Sequence, residues 1–391
     1  MQRGTDTKPP PAAPGPSTAA EPKKSSRIRT VEGLRGLAAL LVVFDHTVEK
    51  DWGLGPWSQQ NHGITVFALL TGFLLSSRFL RARLDRRPAP GGLAFLRARA
   101  ARIYPGYWVA LAGAAATIGL GSMGPGDLWR VLTLTQTFGS DTPFEGILPA
   151  WSLSLFMSFY LALPVWSWWR RRTDRPGEGA ASLLRREVWW LLGLVIASWV
   201  VRVTSATDPI AREPAFTLFG RADWFAIGMI LAVLVIARER GLAPRLLALG
   251  QMPGRVLLAA LGLTVAGALV PVHYEEVRDQ FDTAAGAALL AGAVLHGPVL
   301  RGPQRWLASR PARALGRWSY GIFLWGYIVQ KLITQTSPGI STAPHLALTF
   351  AGAIALGAAS WRYIEKPAAR RLARRPQNRP RHHPYPSATP A

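Results

Sequence analysis

A series of long apolar segments, separated by arginine-rich loops, constrains the fold of this chain more than any other feature. A helix crosses the hydrocarbon core of a bilayer with about 20 apolar residues, and in lipid only helices and closed barrels satisfy every backbone polar group. The pattern therefore predicts an all-α, polytopic integral membrane bundle with about ten transmembrane helices. The predicted spans are residues 34–48, 63–80, 105–120, 150–169, 188–201, 215–237, 256–272, 283–300, 318–335 and 345–361.

Basic residues follow every second apolar segment. They are concentrated at residues 81–104, 170–186, 238–255 and 301–317, and further basic residues precede the first segment and follow the last. Because short cytoplasmic loops carry the excess of Lys and Arg, these loops and both termini are predicted to face the cytoplasm. An even number of spans is then required, which agrees with ten. We expect a multi-pass protein of the bacterial cytoplasmic membrane.

The net charge of +23 is explained by membrane topology and contact with anionic lipid. No basic stripe with interleaved aromatic residues lies on a soluble module, so no nucleic-acid partner is expected. The chain has no cysteine and its histidines lack metal-ligand spacing, so neither a thiol nucleophile nor a metal is expected. Residues 1–27 and 373–391 are predicted to be disordered cytoplasmic segments that flank one transmembrane domain at 28–372, with no cleavable signal peptide.

Arg35 and His46 lie eleven residues apart inside the first apolar segment. A helix advances about 100° and 1.5 Å per residue, so both side chains share one face about 16 Å apart. Ionisable groups inside a membrane helix are costly and mark functional sites by default. The alternative, at about even odds from these two residues alone, is that Arg35 is a positive-inside anchor and His46 an interfacial residue.

Seven stretches of the chain, in order, resemble motifs of the membrane-bound acyltransferase family 3. The first is the Arg35 and His46 pair, separated by ten residues, which resembles the family's hallmark. Others include Trp151-Ser-Leu-Ser154, which is similar to the start of the WSLSxE element, and the closing Ile-Glu365-Lys-Pro. The resemblance covers about residues 28–372. The seven stretches are 31–46, 63–75, 95–108, 149–160, 221–228, 319–325 and 363–367.

Two positions depart from the family's pattern. Phe156 stands where the family usually has Glu in WSLSxE, and Gly326 stands where it usually has His after Leu-Trp. Ser152 and Phe156 share a helix face at four-residue spacing. If that face lines the acceptor path, the aromatic ring favours a bulky, weakly polar acceptor. The two departures also leave open a displaced partner or a loss of activity.

The resemblance implies acyl transfer from acyl-coenzyme A, as a co-substrate with no bound cofactor, to a hydroxyl. His46 is the expected general base, because an imidazole with a pKa of about 6.5 can take the hydroxyl proton. Arg35 is the expected catalytic cation, since a forked guanidinium suits the donor's phosphates or an oxyanion. Arg35 lies nearer the cytoplasmic end and is expected to hold the donor.

Further substrate-binding candidates lie in the other motifs. Arg97, Arg99 and Arg102 are expected to bind the donor's phosphates, although for at least one of them a topological anchor is the better explanation. Trp151 and Ser152 are candidates to line the acceptor path, although a Trp near a membrane boundary is more often a belt residue. Asp223 is a candidate site residue, but a structural ion pair with Arg221 is slightly preferred. The hydroxyl of Tyr320 is a candidate to reach the site, but packing is the preferred assignment. Glu365 with Lys366, at a cytoplasmic helix end, is interpreted as structural.

The acceptor is a hydroxyl-bearing small molecule or a glycan. A sugar hydroxyl of a secondary metabolite such as a macrolide is slightly preferred over a cell-envelope glycan. A secondary transporter is the main alternative, but it needs coupling carboxylates near the midplane, and the sequence offers Asp45, Asp223 and little else. A non-catalytic membrane protein with an acyltransferase fold is the other alternative, for which Phe156 and Gly326 argue.

Overall fold

A computed structural model of the chain describes residues 26–51, 62–121, 123–139, 144–207, 213–242, 252–271, 274–296 and 299–373. Within these ranges the structure consists of helices and turns, without a strand, as the sequence predicts. Most of the two predicted disordered segments lies outside the described residues. Ser26, Arg27 and Ala373, which were assigned to those segments, are helical instead.

Each of the ten predicted spans overlaps a helix of 17 or more residues. The long helices are α1 (Ser26–Asp51), α2 (His62–Leu84), α3 (Gly92–Thr117), α5 (Trp151–Arg172), α6 (Ala180–Thr207), α7 (Leu218–Glu239), α8 (Pro253–Leu269), α9 (Glu275–Val294), α11 (Arg310–Thr336) and α12 (Thr342–Ser360). Three short helices are α4 (Pro125–Thr133), α10 (Pro303–Leu307) and α13 (Lys366–Ala373). Helix α3 begins well before the predicted span because its arginine-bearing first half is also helical.

Five helices of the described structure are long and apolar enough to cross a membrane. They are α2, α5, α6, α7 and α12 with its extension through residue 371. The other long helices carry more charge or, like the 17-residue α8, are shorter. A chain with five such helices is a multi-pass membrane protein. The full number of ten spans remains a prediction.

Helix α1 packs against α11, α2 and α12, and its contact with α11 is the most extensive of the three. Two glycines allow this close approach. A Cβ atom at Gly316 of α11 would lie 1.8 Å from the carbonyl oxygen of Glu32, and one at Gly36 of α1 would lie 2.8 Å from the nitrogen of Gly316. Small residues at a crossing let two membrane helices approach within backbone contact. The crossing fixes the rotation of α1 and hence the direction in which Arg35 points.

Helices α2 and α7 form a second glycine crossing. A Cβ atom at Gly72 would lie 2.2 Å from the carbonyl oxygen of Phe225, and one at Gly228 would lie 2.1 Å from that of Leu69. Each of the two glycines therefore contacts the backbone of the other helix. This contact holds the apolar face of α2 at a fixed depth beside α1.

Ion pairs join the arginine-rich helix ends to one another. Arg83, near the end of α2, bonds Glu187 of α6 at 2.6 Å and also pairs with Asp174 between α5 and α6. Arg27, at the start of α1, pairs with Glu239 at the end of α7. These ends thus lie on one side of the bundle, here called the arginine-rich end. The side that holds the end of α1 and the start of α2 is called the opposite end.

Candidate active site

A cleft with a volume of about 150 Å³ opens between α1, α2, α3, α5 and α11. Cationic and hydroxyl groups gather on part of its wall, and the rest is aliphatic or aromatic. The polar lining is Arg35, Thr71, Arg99, Arg102, Ser152, Tyr160, Ser319 and Tyr320. The apolar lining is Ile64, Phe67, Leu70, Leu74, Leu75, Ile103, Leu153, Phe156 and Phe323.

Three guanidinium groups face this cleft and are incompletely paired. Arg35 donates a long hydrogen bond of 3.4 Å to the hydroxyl of Ser319. Arg102 lies 3.7 Å from Glu365, and the Nε atom of Arg99 has no hydrogen-bond partner among the described residues. Three cations with one nearby carboxylate leave an excess of positive charge. Such a cluster is suited to bind phosphate groups.

Glu365 is the carboxylate that balances part of this charge. It is buried and lies at the end of a π-helical turn, Trp361–Glu365, which continues α12. Such turns often occur at functional sites, because the inserted residue redirects the side chains around it. Its Oε1 atom is 3.4 Å from the hydroxyl of Ser360, and its Oε2 atom faces Arg102. The interpretation of Glu365 as merely structural overlooked its contact with the cationic cleft.

Tyr320 lines the cleft, but its hydroxyl group is engaged elsewhere. It donates a 2.7 Å hydrogen bond to the backbone carbonyl of Ile103 and thereby ties α11 to α3. The ring of Tyr320 also fills the space beside Gly106, where a Cβ atom would lie 2.9 Å away. Tyr320 therefore positions the helix that carries Arg102, in agreement with the packing alternative.

His46 lies on the same helix face as Arg35 but outside the lining of the cleft. Its Nδ1 atom is 2.8 Å from the carbonyl oxygen of Val42, one turn earlier. A carbonyl only accepts hydrogen bonds, so Nδ1 carries the hydrogen and Nε2 keeps the lone pair that a general base needs. The ring meets Tyr327 of α11 edge-on, with centroids 6.3 Å apart.

An apolar layer separates His46 from the cationic part of the cleft. Gly63, at the start of α2, packs directly on Val42, and the next residue, Ile64, lines the cleft. Phe67 and Phe323 meet edge-on across the cleft at 6.5 Å. From α1, the lining of the cleft includes Arg35.

The other predicted site residues fall in different places. Ser152 lines the cleft, and its hydroxyl donates to the carbonyl of Pro149 at 2.9 Å. Trp151 packs instead against Phe216, with ring centroids 5.6 Å apart. Arg97 is exposed and outside the lining. Of the three candidate phosphate ligands, the structure thus brings two to the cleft.

Asp223 forms an ion pair, but with a different partner from the one that the sequence suggested. Its Oδ2 atom lies 2.6 Å from Arg202 of α6, and both side chains are fully buried. Arg221 pairs with Asp279 of α9. Two residues of one helix point about 200° apart, so Arg221 and Asp223 face different neighbours. The pair with Arg202 favours the structural interpretation of Asp223.

Comparison with known proteins places the chain in a family. The sequence model of an acyltransferase domain, that of acyltransferase family 3, matches residues 28–362. The chain belongs to acyltransferase family 3. It is 24% identical over 374 residues to "Putative peptidoglycan O-acetyltransferase YrhL" of Bacillus subtilis, covering 86% of this chain and 54% of that protein. The chain thus spans about half the length of this relative.

A second relative of this acyltransferase family 3 chain is "Protein 2 in picA locus" of Rhizobium radiobacter. The two are 32% identical over 156 residues, which are 36% of this chain and 75% of that protein. No solved structure matches the chain.

The structure shows what surrounds Phe156 and Gly326, the two positions at which this acyltransferase family 3 chain departs from the family's motifs. Phe156 lines the cleft and meets Phe225 edge-on at 5.5 Å, so the wall is aromatic where a carboxylate was expected. A Cβ atom at Gly326 would lie 2.5 Å from Val43 of α1, so a larger side chain there would push against the helix that bears His46. Among the described residues, no group of three or more His, Cys, Asp or Glu side chains is arranged to hold a metal ion.

Proposed function

We propose that the protein is a membrane O-acyltransferase that transfers an acyl group from acyl-coenzyme A to a hydroxyl of its acceptor. The observation that carries the proposal is the cationic cleft at Arg35, together with His46 further along the same face of α1. Family membership supports the reaction class. The name of the Bacillus relative, which mentions an O-acetyltransferase, supports acetyl as the transferred group.

The donor enters from the arginine-rich end, which we assign to the cytoplasm. Arg99 and Arg102 bind its phosphates, and Arg35 binds the donor deeper in the cleft. The apolar stretch between Ile103 and Phe67 takes the pantetheine arm, whose extended length is comparable to the distance of about 16 Å from Arg35 to His46. The thioester then reaches His46 past the pair of Phe67 and Phe323.

The chemical step uses the free Nε2 atom of His46. This nitrogen takes the proton of the acceptor hydroxyl while the oxygen forms a bond to the thioester carbonyl carbon. The carbon–sulfur bond then breaks, and the coenzyme A thiolate leaves and takes the proton back from the imidazolium. The ester and free coenzyme A are the products, and protons balance. Water exclusion by the apolar layer protects the thioester from hydrolysis.

The acceptor is a sugar hydroxyl, either on a cell-envelope glycan or on a secondary metabolite. The printed name of the Bacillus relative mentions peptidoglycan, which favours the glycan for this chain as well. The transport alternative receives less support, because Asp223 is paired with Arg202 and Asp45 lies 3.7 Å from His62.

The proposal is tested with purified protein in lipid vesicles and radiolabelled acetyl-coenzyme A. Transfer to added oligosaccharide is expected, together with slow release of acetate without acceptor.

His46→Ala is expected to lower the rate of acetyl transfer by about 10²- to 10⁴-fold, the usual range for loss of a general base. Arg35→Lys is also expected to be poor, because an ammonium lacks the planar fork of donors. A folded His46→Ala variant with the wild-type rate would reject the assignment of the base. An inactive wild type that also fails to bind acetyl-coenzyme A would reject the whole proposal.

A further inference from the structure

A stripe of exposed apolar side chains follows α5 and ends at an arginine. Leu161, Val165 and Trp168 are 57%, 62% and 54% exposed, and the exposed Arg172 follows one turn later. Spacings of three and four residues place these four side chains on one helix face, here called the α5 stripe. Because α5 is long and apolar enough to cross a membrane, we assign this face to the lipid.

The length of the α5 stripe corresponds to one leaflet of a bilayer. Eleven residues separate Leu161 from Arg172, which is about 16 Å along a helix. The hydrocarbon core of one leaflet is about 15 Å deep. Trp168, one turn before Arg172, is of the residue type that is enriched at the membrane interface. When the apolar part of the stripe lies along acyl chains, Arg172 therefore lies at the depth of the lipid phosphates.

Arg172 is held in place and yet keeps its hydrogen-bond donors free. Its guanidinium carbon lies over the ring of Trp168, 4.3 Å from the centroid. Stacking of this kind uses the flat face of the guanidinium and leaves the N–H groups at its edge available. Within the described part of the chain, Arg172 forms no ion pair and its side chain no hydrogen bond.

Two further arginines add positive charge beside Arg172. The Nη1 atom of Arg171 donates to the backbone carbonyl of Arg87 at 3.0 Å, so the connection between α2 and α3 lies against the end of α5. Neither Arg171 nor Arg87 forms an ion pair among the described residues. The carboxylate that follows in the sequence, Asp174, is already paired with Arg83. This corner of the arginine-rich end therefore keeps an excess of positive charge.

The inward-facing arginine of the same turn is neutralised. Arg170 is buried, bonds Glu187 of α6 at 3.0 Å and lies over the rings of Trp169 and Trp190. Arg170 and Arg172 point about 200° apart on α5. The fold thus supplies a carboxylate to the arginine that faces inward and none to the arginine that faces the lipid.

The charge and shape of this surface restrict what covers it. A phosphate group accepts the forked donors of a guanidinium and brings the missing negative charge. A zwitterionic lipid adds its own cation to a field that is already positive, whereas an anionic lipid does not. A soluble phosphate compound has no acyl chain to cover the apolar side chains of the stripe. The complementary ligand is therefore an anionic phospholipid.

We propose that the α5 stripe binds one anionic phospholipid of the leaflet at the arginine-rich end. Its phosphate accepts hydrogen bonds from Arg172, and an acyl chain lies along Trp168, Val165 and Leu161. The charges of Arg171 and Arg87 select a head group with a net negative charge. None of the four stripe residues lines the cleft of Arg35, so this lipid site is separate from the proposed active site and does not depend on the proposed reaction.

The first experiment counts lipids on the purified full-length protein in detergent by native mass spectrometry. The probes are palmitoyl-oleoyl phosphatidylglycerol, phosphatidylcholine with the same chains, and soluble glycerophosphoglycerol. One phosphatidylglycerol is expected to bind about tenfold or more tightly than phosphatidylcholine, with no retention of the soluble head group. Equal affinity for the two lipids overturns the inference, and so does equal affinity for glycerophosphoglycerol.

The second experiment compares Arg172→Gln with Arg305→Gln as the matched control. Arg305 is also exposed and lies beside an exposed tryptophan, Trp306, but on α10, which packs against α1. Arg172→Gln is expected to weaken phosphatidylglycerol binding about tenfold or more, since a charge-assisted hydrogen bond is lost. Arg305→Gln is expected to bind like the wild type. Equal losses in both variants, or no loss in Arg172→Gln, overturns the inference.

The melting temperature separates lipid binding from a structural role of Arg172. Without added lipid, Arg172→Gln is expected to melt like the wild type, because its side chain has no internal hydrogen bond. Added phosphatidylglycerol is expected to raise the melting temperature of the wild type and of Arg305→Gln, but not that of Arg172→Gln. A lower melting temperature without lipid overturns the inference. If Arg172→Gln does not fold, Arg172→Lys is used. This variant keeps the charge without the planar fork, and it is expected to bind the lipid more weakly than the wild type. Undiminished binding by Arg172→Lys then overturns the inference.

Discussion

At the scale of single residues, position relative to the cleft distinguishes arginines that look alike in sequence. Arg97, Arg99 and Arg102 all lie in the first half of α3. Arg99 and Arg102 line the cleft, whereas Arg97 is exposed and does not. A spacing of three residues brings two side chains near one face of a helix, and a spacing of five does not. Arg97 is therefore a natural internal control for the other two.

We predict that Arg99→Ala and Arg102→Ala each raise the KM for acetyl-coenzyme A about tenfold or more. Each removes one of the charge-assisted contacts to phosphate that we propose, and such contacts contribute about 1.5–3 kcal/mol. Arg97→Ala is expected to change the KM by less than about twofold. Steady-state kinetics at varied acetyl-coenzyme A measures all three. Equal effects of the three substitutions would mean that general surface charge, and not a phosphate site, attracts the donor.

At the scale of helices, two glycine crossings set the geometry around α1 and α2. The α2 and α7 crossing brings backbone atoms to distances at which a methyl group does not fit. The opposite face of α2 supplies Phe67, Leu70 and Leu74 to the cleft. Separation of α2 from α7 would therefore change both stability and the cleft.

We predict that Gly72→Ala lowers the melting temperature in detergent. Its methyl group would lie 2.2 Å from the carbonyl oxygen of Phe225, and overpacking of this kind costs about 1–3 kcal/mol. Gly193→Ala on α6 is the matched control, since no atom lies within 4 Å of its added Cβ. That control should be neutral or stabilising by up to about 1 kcal/mol, because alanine favours helix over glycine. Equal melting temperatures of the two variants would show that the α2 and α7 contact is looser than described.

At the scale of the whole molecule, the arginine-rich ends of the helices meet on one side. The ion pairs of Arg83 with Glu187 and of Arg27 with Glu239 show this directly. The alternation of basic and nearly neutral loops along the sequence therefore corresponds to a true separation of charge in the fold. From the positive-inside rule we predict that the arginine-rich side faces the cytoplasm.

This topology predicts the accessibility of single cysteines in intact cells. Gly179, before α6, and Gly126, in α4, both have open space around an added Cβ atom. A membrane-impermeant maleimide is expected to label Gly126→Cys and to spare Gly179→Cys until the cells are opened. The native chain contains no cysteine, so it gives no background. Labelling of Gly179→Cys in intact cells would invert the orientation and, with it, the side from which the donor enters.

The sequence by itself determined the helical class, the order of the helices and the common face of Arg35 and His46. These properties depend on hydropathy and on the helical period, which act within one segment. The motif order also indicated the family, which the match over residues 28–362 confirms. Glu365 stands in one of those motifs, so a signal for it was present, although its role was assigned differently.

Only the tertiary structure decided which side chains meet. Helical periodicity fixes directions on one helix, but the rotation and depth of its neighbours depend on packing between distant segments. For that reason the sequence could not show that Asp223 pairs with Arg202, that His46 lies beyond the apolar layer of Phe67 and Phe323, or that Arg97 misses the cleft.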